Sequence, residues 1–62
     1  MTYNEAKKAF DGQSLVKHKG IEYKHINAII FRRIDGEKVI QLELQDKKTK
    51  SVTIARLEGV SL

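Results

Sequence analysis

The chain has 62 residues, no cysteine and no proline, and twelve Lys and Arg against eight Asp and Glu give a net charge of +4. That length suits one domain, 1–62, without room for a second. Lack of cysteine excludes disulfides and thiolate metal sites. A charged fraction of 32% beside a hydrophobic fraction of 40% marks a globular rather than a disordered chain.

So short a chain buries only about 60% of its unfolded surface, and small domains commonly add a disulfide, a metal or a partner subunit. With disulfides excluded, oligomerisation is a real option. No apolar run approaches a membrane span, and the first residues read as polar and helical rather than as a secretion signal. The expectation is a soluble cytoplasmic protein that makes no membrane contact.

Thr2-Tyr3-Asn4-Glu5 has the capping-box form, a hydroxyl at the N-cap with a carboxylate three residues later. Tyr3, Ala6, Ala9 and Phe10 follow helical spacing, which predicts a helix over 2–11 with Gly12 at C′. Two to three turns do not persist alone in water. The helix must dock, with Tyr3 and Phe10 as its anchors.

The rest, 14–62, reads as antiparallel β-sheet. Leu15–Lys19 is a short strand broken at Gly20, and Ile21–Ile26 alternates through Ile21 and Tyr23. Residues 28–34 continue extended. Ile26 and Ile30 are apolar in the opposite phase to Ile29 and Phe31, so this segment needs a bend, a bulge near His25-Ile26-Asn27, or cover from the helix. Asp35-Gly36 is a strong type I′ turn signal. It pairs Phe31 with Ile40, Ile29 with Leu42 and Asn27 with Leu44, leaving Arg33 beside Lys38 next to the turn. Arg32 then opposes Val39, Ile30 opposes Gln41 and Ala28 opposes Glu43. In Val39–Asp46, Ile40, Leu42 and Leu44 share one face. Residues 46–50 form a polar connection. In Ser51–Ala55, Val52 and Ile54 are expected to face the core. Arg56–Gly59 is a turn, and Val60–Leu62 a last edge strand.

The fold class is therefore mainly β: a short N-terminal helix, then four or five short antiparallel strands. An SH3-like barrel is expected, with an open α+β meander as the alternative. The layout of about residues 14–62, with its short turn before a final strand, resembles SH3-like barrels. The chain is also similar in general character to small uncharacterised proteins of bacterial phages and mobile elements. No diagnostic motif carries either resemblance, and neither assigns an activity or a residue role.

Catalysis, metals and cofactors find no support in the residues. His18 and His25 are the only histidines, and they could pair across a hairpin centred on Gly20 and Ile21. A zinc site needs three or four ligands, and the adjacent lysines repel a cation. Ser14, Ser51 and Ser61 lack an elbow motif, the acids are dispersed, and the four glycines are isolated turn formers.

Two functions remain. The first is a non-catalytic interaction module that binds a protein partner or itself through a patch of Ile26, Ile30, Val39 and Tyr23. The alternative is a weak nucleic-acid-binding accessory that uses Arg32, Arg33 and Lys38 by one turn and Lys17, Lys19 and Lys24 by another. Phe31 reads as a core residue by its pairing with Ile40. Tyr23 could stack on a base or be buried. Fold analogy does not choose, because small barrels serve both roles.

Overall fold

Thr2 caps the helix α1 (Tyr3–Gly12) in the computed structural model, which describes residues 1–62. The capping box is formed in both directions. The Glu5 amide donates to Thr2 Oγ1 at 3.1 Å, and the Thr2 amide donates to Glu5 Oε1 at 2.7 Å. The hydrogen bond from the Thr2 amide, with a smaller contribution from the Thr2 side chain, holds the Glu5 carboxyl below its usual pKa. The left-handed residue that ends the helix is Gln13 (φ 51°), not Gly12. Its amide donates to Phe10 O and that of Ser14 to Ala9 O, closing the last turn in a Schellman motif.

Six strands follow: β1 (Val16–His18), β2 (Ile21–Tyr23), β3 (His25–Ile34), β4 (Glu37–Gln45), β5 (Val52–Arg56) and β6 (Val60–Ser61). They form two antiparallel three-stranded sheets, in the orders β2-β1-β6 and β3-β4-β5. Neither closes into a barrel, so the arrangement is that of a helix with an open meander. The extra strand arises because the chain bends at Lys24 and passes from one sheet to the other. There the Lys24 amide donates to Gln45 O at 2.8 Å and ties the bend to the end of β4.

Both tight hairpins use two residues with positive φ. These are Asp35 (51°) and Gly36 (81°) between β3 and β4, and Lys19 (50°) and Gly20 (76°) between β1 and β2. Positive φ at both central positions defines the type I′ turn that matches strand twist. A Cβ placed on Gly36 would meet nothing within 4 Å, so strain there is purely conformational. Gly36→Val is expected to cost about 1–2 kcal/mol or more, and exposed Glu37→Ala a few tenths. Urea melts of the two variants check this, and equal midpoints would refute it.

The β3–β4 register is the expected one from Ile34↔Glu37 back to Ala28↔Glu43, and then it slips. Ile26, not Asn27, pairs with Leu44, leaving Asn27 in a bulge. The bulge carries Ile26 onto the same side as Ile29 and Leu42, although the two isoleucines are an odd number of residues apart. That accounts for Ile26, whereas Ile30, of the same phase in the sequence, stays on the opposite face.

The core lies between the sheets and under the helix. Val16, Tyr23 and Val60 come from the small sheet, Ile26, Leu42, Leu44 and Ala55 from the large one, and Ala6 and Ala9 from α1. Met1, Ile29 and Leu57 pack at its margin, and the Met1 nitrogen donates to Leu57 O and Val60 O.

Three expectations about the core are corrected. Ala6 and Ala9, not Tyr3 and Phe10, are the buried helix residues, because small side chains let α1 sit close along β3. Phe31 is 67% exposed. It lies at the N-terminal end of the helix, its ring 5.7 Å from that of Tyr3 at 58°. In β5, Val52 and Ile54 are each 46% exposed and Ala55 is buried. Pairing of Leu42 with Ala55 and Leu44 with Thr53 puts those residues on the core side. No helix is long and apolar enough to cross a membrane.

Candidate functional site

Strand alternation gives the β3-β4-β5 sheet two faces. One faces α1 and the core. The outer face has cross-strand rows running Arg32–Val39, then Ile30–Gln41–Arg56, then Ala28–Glu43–Ile54, with Gln45–Val52 beyond. No helix or second sheet lies over it: α1 occupies the inner side, and β1, β2 and β6 close the core from that side too. Val39 is only 7% exposed yet stands apart from the nine-residue core cluster. Its neighbours on the outer face shield it, so this face already has the beginnings of an apolar centre. Gln41 Oε1, in the middle of the same face, is buried without a hydrogen-bond partner.

Of the four residues expected to form a protein-contact patch, Ile30 and Val39 share this face. Tyr23 (7% exposed) and Ile26 (2%) are core residues. Tyr23 closes the small sheet over the core, and the bulge turns Ile26 inward. Sequence reasoning missed Val52 and Ile54 as outer-face residues. Their alternation is clear in the sequence, but its phase relative to the core is not.

The six basic residues offered as possible nucleic-acid contacts do not converge. Arg32, Arg33 and Lys38 sit at the tip of the β3–β4 hairpin, where Arg33 pairs with Lys38. They share a shallow groove there with Phe31, Val39 and Ile40. Lys24 lies at the opposite end, roughly 26 Å away along a strand rising about 3.3 Å per residue. The longest dimension of the molecule is 35 Å. Lys17 and Lys19 belong to the small sheet and its turn. At such separations salt screens the groups from one another.

Lys24 instead joins a cluster that was not apparent from the sequence. With His25, Gln45 and the 46–50 loop it lines an open cleft of eight residues, none of them apolar. The loop is held by its own polar side chains. Asp46 Oδ2 accepts from the Lys48 amide (3.0 Å), the Thr49 amide (2.8 Å) and Thr49 Oγ1 (3.0 Å). These bonds, led by the one from the Lys48 amide, hold the Asp46 carboxyl below its ordinary pKa. Gln45 Nε2 donates to Thr49 O at 3.0 Å and Ser51 O at 3.3 Å. With its amide so oriented, Gln45 Oε1 accepts from Asn27 Nδ2 at 2.9 Å. Asn27 Oδ1 in turn lies 2.8 Å from His25 Nε2, so the imidazole donates there. The bulge thus anchors the loop through a continuous chain of side chains.

Lys47 Nζ reaches Glu22 Oε1 at 2.7 Å, the only ion pair in the molecule. That hydrogen bond, reinforced by the charge on Lys47, keeps the Glu22 carboxyl below its usual pKa.

The histidines do not face each other. His18 lies opposite Ile21 across a turn centred on Lys19-Gly20 rather than on Gly20 and Ile21. Its Nδ1 donates to Gly59 O at 3.0 Å, latching the 3-10 turn Leu57–Gly59 to β1. Each imidazole therefore has a structural role.

Comparison with known proteins finds no matching family model, no similar curated protein and no similar solved structure.

Proposed function

We propose that the chain is a small, non-catalytic interaction module of the cytoplasm whose outer sheet face binds a second copy of itself. The observation that supports this best is the uncovered face of the β3-β4-β5 sheet, which carries Ile30, Val52 and Ile54 together with Val39, a shielded valine outside the core cluster. Its charges favour a like partner. Arg32 and Arg56 balance Glu37 and Glu43 on the same face, and none of the four has an ion-pair partner within the chain. Two such faces stacked with strands opposed can set arginines against glutamates while the apolar side chains meet between them. A domain this small gains stability from such burial. A chain without cysteine is compatible with the reducing cytoplasm.

Sedimentation velocity across a wide concentration range tests the proposal. The parent should pass from monomer to dimer, and Ile54→Glu, an exposed substitution that spares the core, should remain monomeric. A parent that stays monomeric throughout would overturn self-association and leave a different protein as the occupant of the face. An Ile54→Glu variant that dimerises like the parent would overturn the choice of face.

A further inference from the structure

We infer that the lysine-lined cleft between the Lys24 bend and the 46–50 loop binds the phosphate backbone of a nucleic acid. The fold of the loop depends on Gln45, Asp46, Thr49 and Ser51, whose groups make its internal hydrogen bonds. It makes no such demand of the side chains at 47, 48 and 50, yet all three are lysine, and the bend adds Lys24. Four exposed lysines line this one open cleft, and a bound anion would relieve what repulsion the solvent does not screen.

The local acids do not serve that purpose. Asp46 spends its carboxylate on the loop amides, and Glu22 engages Lys47 alone. Lys24, Lys48 and Lys50 therefore make no ion pair, although Lys48 lies close enough to Asp46 for their charges to attract. At the hairpin tip Asp35 and Glu37 lie beside Arg32, Arg33 and Lys38 in the chain and leave a local excess of one charge, three minus two, against two at the cleft, four lysines minus Asp46 and Glu22.

The lining also selects among polyanions. Its one aromatic ring, His25, is tied to Asn27 Oδ1, and it offers no apolar side chain to enter a lipid layer. What it offers is point charges and hydrogen-bond donors suited to phosphodiester oxygens, so binding is independent of base sequence. This site lies at the other end of the sheet from the hairpin tip and does not require self-association.

The test is fluorescence anisotropy with labelled mixed-sequence DNA and RNA oligonucleotides, repeated over a range of salt. Three unpaired lysines predict a slope of log K against log salt of about −2 to −3. The triple variant Lys24→Gln, Lys48→Gln, Lys50→Gln should lose about tenfold or more in affinity at low salt and flatten the slope. The triple variant Arg32→Gln, Arg33→Gln, Lys38→Gln should retain most of the binding. Circular dichroism melts establish that each variant folds, and the single charge reversal Lys48→Glu should weaken binding in the same direction. The inference is overturned by a parent that binds neither oligonucleotide at low salt. A folded cleft variant that binds as the parent does, or equal losses from the two triple variants, would also overturn it. So would binding to anionic phospholipid vesicles without binding to oligonucleotides.

Discussion

Leu42→Ala is expected to leave the chain largely unfolded at room temperature. Leu42 is fully buried, pairs with Ile29 on one side and Ala55 on the other, and lies at the centre of β4. Removing a buried leucine side chain costs about 2–5 kcal/mol through lost transfer energy and the cavity left behind. At the usual stability per residue, a domain of 62 residues holds only about 3–9 kcal/mol in total. The loss is therefore comparable with the whole. Ile54→Ala is the control, because Ile54 is on the next strand but faces outward, and it should change monomer stability by well under 1 kcal/mol. Thermal and urea melts at a concentration low enough to keep the chain monomeric compare the two. If Leu42→Ala melts like the parent, the assignment of inner and outer faces is wrong.

Ala6→Leu is the second large effect expected, and it has the opposite physical origin. Ala6 has no exposed surface and faces the sheet where α1 runs along β3. A leucine there adds three carbons to a site with no room for them. Overpacking of this kind costs about 1–3 kcal/mol, occasionally more. The strain falls on an element that cannot survive undocked, since ten helical residues are too few to be stable alone in water. Helical circular dichroism should fall before the sheet melts. Tyr3→Ala, at the rim, should be the milder change. A stabilised Ala6→Leu would show that the helix sits farther from the sheet than its buried alanines indicate.

Local chemistry was legible in the sequence wherever a structural choice is made within a few residues. The capping box at Thr2 and Glu5, the Asp35-Gly36 turn and the β3–β4 register as far as Ala28 each depend on neighbours close in the chain or directly across a tight hairpin. A turn that requires positive φ and an apolar pattern of period two together leave one register, and that register is the one found.

Tertiary structure alone decided the rest. Residues Val52–Ala55 alternate clearly, but alternation does not say which phase is buried. That was settled by the pairing of Ala55 with Leu42, which sets Ile54 outward beside Glu43. Phe31 shares its phase with Ile29, yet it lies at the N-terminal end of α1 and stays largely exposed. The Asn27 bulge reverses the side on which Ile26 lies, and its exact position depends on the bend tied by Gln45. The lysine cleft depends on that same contact, because the bond from the Lys24 amide to Gln45 O brings together charges more than twenty residues apart. Proximity of that kind is produced by closing long loops around a shared core, and a reading confined to neighbouring residues contains no term for it.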